Sequence, residues 1–292
     1  NYLLNYITIV LFNVEFLINC DWEQRKLSEI ADCYDGTHQT PTYTNNGVKF
    51  ISVENIKNIQ GSEKYISEQD YEKQFKIKPQ INDIFMTRIT AGIIGDTALL
   101  EQYIPLAYYV SLALIRPKLV MPIYLEKYIG STFFKIELHK RIIHTAFPKK
   151  INLGEIGECG VAIPNSQTEQ VKIGSFFKQL DDTIALHQRK LTLLEQLKQT
   201  YLQVMFPQGQ DSIPILRFAG HSEPWEQHKL GEISESYSGG TPSVAIQSYY
   251  GGSIPFIRSA EINSKNTELY LTEEGLNNSS AKLVDVGDIL YA

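Results

Sequence analysis

The sequence predicts an α+β chain in three parts: a globular module, a long coiled-coil spacer helix, and a partial second copy of the module. Three observations carry that reading. The first is an internal repeat, which has to be found before any fold is assigned. Residues 21–34, DWEQRKLSEIADCY, return at 224–237 as PWEQHKLGEISESY. At an offset of 203, Trp22 meets Trp225, Lys26 meets Lys229, Leu27 meets Leu230, Ile30 meets Ile233 and Tyr34 meets Tyr237. The second is an uninterrupted apolar seam at heptad spacing between the two copies. The third is a mixture of strand-like and helix-like apolar periods within the first copy.

The first copy is expected at 21–165. Its opening, WEQRKLSEIAD, reads as a short amphipathic helix or turn. GVKFISVENI and NDIFMTRITAGIIGDTALL are β-branched-rich runs, the second broken by Gly92 and Gly95, and read as strands. PLAYYVSLALIRP reads as one buried strand closed by Pro117. IYLEKYIGSTFFKIELHKRI, apolar at Leu125, Tyr128, Ile129 and Phe133, reads as helix.

The spacer helix is expected at 166–206. Ser166 and Glu169 have the spacing of a reciprocal capping box, and no proline follows until Pro207. The series Ile173, Phe177, Leu180, Ile184, His187, Leu191, Leu194, Lys198, Tyr201, Met205 advances in steps of four and three. That is a heptad seam, with His187 and Lys198 as polar residues that fix register. A helix of this length is ~60 Å long, and its seam needs a partner helix.

A linker is expected at 207–223 and the partial second copy at 224–292. The repeat continues beyond its opening: Phe50-Ile51 matches Phe256-Ile257, YISEQDY matches YLTEEGL, and NDIF (82–85) matches GDIL (287–290). The sequence given stops soon after that point, at Ala292, whereas about 80 residues follow it in the first copy.

Residues 1–20 form a leader of uncertain status. Their apolar run at 7–19 is 13 residues long and carries Asn13 and Glu15, short of the roughly 20 residues that cross a bilayer. The three cysteines, Cys20, Cys33 and Cys159, are too few and too scattered for a disulfide framework or a zinc site. They fit a cytoplasmic protein with small buried thiols.

Net charge is −6 overall, with none over 21–165 and all of the deficit over 207–292. That is not the bulk positive charge of a stand-alone nucleic-acid binder. No P-loop, no G-x-G-x-x-G, no H-E-x-x-H, no Cys-x-x-Cys pair and no Ser between spaced glycines occurs, so no nucleotide-driven, metal-dependent or acyl-transfer chemistry is signalled. The residues themselves describe a non-catalytic chain of two modules and a spacer.

The repeated WEQ-x-KL-x-EI opening and the segment EQVKIGSFFKQLDDTIALHQRKLTLLEQLKQTYLQVMF (169–206) carry a resemblance. The chain resembles the specificity (S) subunits of type I restriction–modification systems, in which target-recognition domains alternate with long helices. The resemblance covers about 21–292, and the order of domain, helix and repeated domain is its most specific part. It implies that each recognition domain reads one part of a split, asymmetric site in double-stranded DNA, with antiparallel helices fixing the spacer. It implies that methyltransferase (M) subunits dock on the helices and recognition domains and bring S-adenosylmethionine. Restriction (R) subunits would join through the complex and bring ATP and Mg. No cofactor and no metal are expected on this chain, and no membrane.

Under that resemblance the candidate DNA contacts are Thr37, His38, Gln39 and Thr40 on the loop after Gly36, and Arg88 and Thr90 after the NDIF strand. Lys149 and Lys150 are candidates for phosphate contacts. The candidate helix-pairing residues are Ile173, Phe177, Leu180, Ile184, Leu191, Leu194, Tyr201 and Met205. With a single spacer helix present, its seam is expected to pair in trans with another copy or to stay exposed. The competing reading is a coiled-coil structural adapter whose flanking domains bind protein, which the net acidity favours. A hydrolase with a repeated lid is a distant third.

Overall fold

The computed structural model describes residues 22–292; the expectation of a leader at 1–20 lies outside them. The described residues up to Glu195 form one compact unit and those from Gln196 another, the division falling within the long helix.

In the first unit the opening motif is not one helix. Glu23–Lys26 is a strand, β1, followed by a four-residue helix α1, Leu27–Ile30, and a second strand β2, Ala31–Asp35. The reason lies in tertiary pairing, which overrides local propensity. β1 pairs antiparallel with β11, Gly160–Ile163, so that Lys26 faces Gly160 and Glu23 faces Ile163. Only α1 keeps the helical spacing, and it buries Leu27 and Ile30.

The strands expected after it are present. They are β3 (Val48–Ile51), β5 (Ile84–Thr87), β6 (Ile89–Thr90) and β7 (Thr97–Leu99), and a two-residue strand not expected from the sequence, β4 (Tyr65–Ile66), lies between β3 and β5 in the chain. The run PLAYYVSLALIRP is two strands, not one: β8 (Leu106–Tyr108) and β9 (Leu112–Pro117). They serve different sheets. β9 lies inside a four-stranded antiparallel sheet ordered β2-β9-β5-β7, whereas β8 runs parallel to β3 in a three-stranded sheet ordered β4-β3-β8.

Alternation along these strands sets the layers. On β5, Ile84 and Met86 enter the main core while Phe85 enters a second core; on β9, Ala113 and Ile115 go one way and Leu112 and Leu114 the other. Both faces of the central strands are therefore covered, which is why they read as unbroken apolar runs. The helix α2 (Glu68–Gln74) covers the far face of the smaller sheet through Tyr71 and Phe75 against Val48 and Phe50.

The expected helix at 123–142 is also two: α3 (Pro122–Ile129) and α4 (Thr132–Arg141). The break is local. Ser131 lies between them in an extended conformation and caps α4, its hydroxyl accepting from the Phe134 N–H. Their inward residues Tyr124, Leu125, Ile129, Phe134 and Leu138 complete the main core with Ile156 and Val161. A short strand β10 (Lys149–Lys150) and the helix α5 (Leu153–Gly157) lead into β11.

The spacer helix α6 is continuous over Gln167–Val204, 38 residues. Its start is held to the first unit by the buried Gln170, whose Oε1 accepts from the Met121 N–H (2.8 Å) and whose Nε2 donates to the Pro164 carbonyl (2.9 Å). Gly174 lies so close to α3 that a Cβ would fall 2.7 Å from Ile123 Cγ2. Lys127 pairs with Asp181 and Lys178 with Glu101 (2.7 and 2.8 Å). Ser166 Oγ accepts from the Glu169 N–H at 3.4 Å, which is one half of the expected capping box; among the described residues Glu169 makes no return bond.

The second unit repeats the local structure of the first. α7 (Leu230–Ile233) matches α1, down to extended caps at Lys26 and Lys229 and at Ala31 and Ser234. β12 (Tyr250–Phe256) and β13 (Leu269–Leu271) pair antiparallel as β3 and β4 do. The helix α8 (Glu273–Asn277) is capped by Thr272, whose hydroxyl accepts from the Gly275 N–H, as Ser67 caps α2 by accepting from the Asp70 N–H. Asp288 accepts from the Asp285 N–H as Asp83 accepts from the Gln80 N–H.

Candidate nucleic-acid interface

The segments that carry the candidate DNA contacts are tied to one another through Arg88 and the pairing of β6 with β10. The loop after β2 turns at Gly36, where a Cβ would fall 2.5 Å from the Tyr108 carbonyl oxygen; this close approach needs glycine. The Thr37 N–H then donates to the Tyr108 carbonyl (3.0 Å), and the Val110 N–H donates to the Thr37 carbonyl (2.9 Å). Thr37 is half-buried, while His38, Gln39 and Thr40 point into solvent. His38 Nε2 lies 2.8 Å from Asp35 Oδ2.

Arg88 is a correction. As a candidate base contact it should be exposed; it is 6% exposed. Its Nε donates to the Val110 carbonyl (2.9 Å), its Nη1 to the Ile151 carbonyl (3.1 Å) and its Nη2 to Asp35 Oδ2 (3.3 Å). The same Nη2 lies 3.2 Å from Asp35 Oδ1 as an ion-pair contact without hydrogen-bond alignment. A guanidinium buried and held by three acceptors in this way is not presented to a base edge. It ties the loop after β2, the turn after β8 and the segment after β10 into one frame.

The remaining candidates stand on that frame. β6 pairs antiparallel with β10, Thr90 opposite Lys149 and Ile89 opposite Lys150. Thr90 is half-buried and its hydroxyl accepts from the Gly92 N–H (3.0 Å). Lys149 and Lys150 are exposed. Beside Thr90 opens a shallow cavity of about 200 Å³ lined by Val53, Lys57, Thr87, Thr90, Gly92 and Asp96, among others. Asp35, the orienting partner of both His38 and Arg88, was not among the sequence candidates. Its place directly before Gly36 was the available signal.

The seam candidates are spread along α6. Ile173 packs against the main core of the first unit. Phe177, Leu180, Ile184, Leu191, Leu194 and Tyr201 are exposed, as are the polar seam residues His187 and Lys198. Met205 lies one residue past the helix end, although its N–H still donates to the Tyr201 carbonyl. Among the described residues no group of His, Cys, Asp and Glu side chains is placed to hold a metal ion. No described helix is long and apolar enough to cross a membrane. Burial pushes the Cys33 thiol up to about 12 and the Cys159 thiol up to about 11, which keeps both protonated and inert.

Compared with known protein families, the chain matches the type I restriction modification DNA specificity domain over residues 19–196, more than half its length. It belongs to that family. A DNA specificity domain is the recognition part of such a system and not its catalyst. Three solved structures are similar. One comes from work on complex assembly and conformational transition of the type I R-M system, at 17% identity and TM-score 0.48, covering 67% of this chain and 47% of that one. The type I S subunit from M. genitalium gives 16%, 0.46, 65% and 46% in the same order. The HsdS subunit from Thermoanaerobacter tengcongensis gives 18%, 0.46, 69% and 49%. The chain thus spans about half the length of each.

Proposed function

We propose that this chain selects the DNA sequence for a type I restriction–modification complex, reading one half of a split, asymmetric site through the edge built on Arg88. The observation that carries it is the convergence of four elements in a specificity-domain chain: the loop at 37–40, Thr90, and the exposed Lys149 and Lys150. Side-chain amides, hydroxyls and an imidazole there suit base edges, and the lysines suit phosphates. Arg88 and Asp35 position this set and do not contact DNA.

Methyltransferase subunits would dock on α6 and the recognition domain, bringing S-adenosylmethionine, and restriction subunits would bring ATP and Mg. Residues 21–165 carry no net charge, so those partners would also supply much of the phosphate attraction that dominates affinity. The setting is the cytoplasm. The exposed apolar residues of α6 would pair with a second helix, from another copy where none is supplied by the same chain. The adapter reading keeps one observation in its favour, the acidity of 207–292. Copurification with a methyltransferase, together with methylome sequencing that finds adenine methylation at a split site only when this locus is intact, supports recognition. A chain that captures only non-methyltransferase proteins and leaves the methylome unchanged is an adapter.

A further inference from the structure

Between Glu137 and Glu155 the chain carries no acidic residue, while Lys140, Arg141, Lys149 and Lys150 all fall there. The end of α4 and the reversal after it are thus locally basic in a domain of no net charge. The reversal is tight. Ile143 and Lys150 bridge antiparallel, the Ile143 N–H donating to the Lys150 carbonyl (2.8 Å). At its tip stands Phe147, 94% exposed, the most exposed large apolar side chain among the described residues of the first unit. A phenylalanine so placed buries nothing of the domain, so the fold gives no reason for it.

Its surroundings do. Lys140 and Arg141 are both paired with Glu137, but Lys149 and Lys150 have no ion-pair partner among the described residues. These two lysines follow Phe147 by two and three residues and are clamped to Ile89 and Thr90. Arg88 fixes the base of the same reversal through the Ile151 carbonyl. The aromatic tip is therefore anchored to the frame that carries the loop at 37–40. Unpaired cations flanking an exposed aromatic match the chemistry of nucleic acid, with phosphates for the lysines and a base face for the ring.

We propose that Phe147 is a DNA-unstacking wedge: it inserts at a base step while Lys149 and Lys150 hold the adjacent phosphates. Apolar wedges of this kind partly unstack a step and bend the duplex around more protein surface. The inference rests on the DNA-reading function proposed above and adds a deformation-dependent component to it.

The test uses the full chain and duplex DNA of random sequence at low ionic strength, where phosphate attraction is strongest. Anisotropy gives affinity, and 2-aminopurine in the duplex reports unstacking by a rise in fluorescence. Phe147→Ala should weaken binding at least roughly five-fold, the low end of one lost base–aromatic stack. It should abolish the 2-aminopurine rise and leave the salt dependence and the melting temperature as they were. Lys149→Ala with Lys150→Ala should instead lower the salt slope by about 2. Phe147→Leu should keep part of the unstacking. If the wild-type chain binds DNA and Phe147→Ala retains either its affinity or its unstacking signal, the wedge is wrong and the recognition reading stands. If the wild-type chain binds no DNA under these conditions either alone or together with methyltransferase subunits, both fall.

Discussion

Arg88 reaches back across the domain to Asp35, the residue that also orients His38. The strand that ends at Thr87 and the loop that starts after Asp35 are thereby joined by one buried guanidinium. Truncating it leaves the half-buried Asp35 carboxylate with His38 alone and removes the donor from two backbone carbonyls. Arg88→Ala should lower stability by about 3 kcal/mol, and Arg88→Lys by less, because one ammonium cannot serve all three acceptors. Urea unfolding of the full chain measures this. A loss under about 1 kcal/mol, accompanied by changed preference at a single base, would return Arg88 to the role the sequence suggested.

Gly174 should be the most sensitive position on α6. A methyl group there would press on Ile123 backbone and side chain at 2.7–2.9 Å. Gly174→Ala favours the helix by propensity, yet overpacking of this kind costs ~1–3 kcal/mol. The substitution should therefore lower the melting temperature. Protease cleavage near Pro164 should rise in parallel, as Gln170 loosens; an unchanged cleavage pattern with higher stability would show the junction to be slack.

Glu261 gives a pH prediction. The hydrogen bond from Arg258 holds its carboxyl down to about 2, from an ordinary 4.5. A depressed carboxylate contributes stability that is present above its unfolded value and is lost as pH falls through its folded value. The turn at Ser259–Glu261 should thus hold from neutral pH down past 4.5 and loosen as pH falls toward about 2. NMR titration of the Glu261 carboxyl checks this. Arg258→Ala should bring the midpoint back toward the ordinary value, and a midpoint already ordinary in the wild type would refute the pairing.

The exposed seam should make the chain self-associate. Leu191→Lys with Leu194→Lys should reduce the mass seen by light scattering, without moving the unfolding transition of the first unit, whose core these residues do not enter. A wild-type chain that stays monomeric and fully soluble at high concentration would remove the case for pairing in trans.

Much of the fold was legible because its rules are local. The repeat was read from side chains that set backbone conformation: Leu27 and Leu230 open the same helical turn between the same extended caps. What the opening motif alone could not show is what covers it: Leu27 and Ile30 are buried by α3, α5 and β11, all about a hundred residues further along the chain. The strand character of Glu23–Lys26 was hidden for the same reason, since its partner lies more than a hundred residues away. At the candidate interface, residue type and loop position found the exposed group but misjudged Arg88. A basic residue beside a glycine loop reads as free until three distant acceptors close around it.

The pairing of β1 with β11 has a consequence for how such chains diversify. It places the first unit's point of entry against its point of exit, directly ahead of α6. A domain entered and left through one pair of strands could be exchanged for another of different contents, provided the newcomer carries the same two doorposts and the α3 surface that seats the start of α6. Recombination that exchanges everything between Lys26 and Gly160 would then change what is read while the span of the spine stays constant.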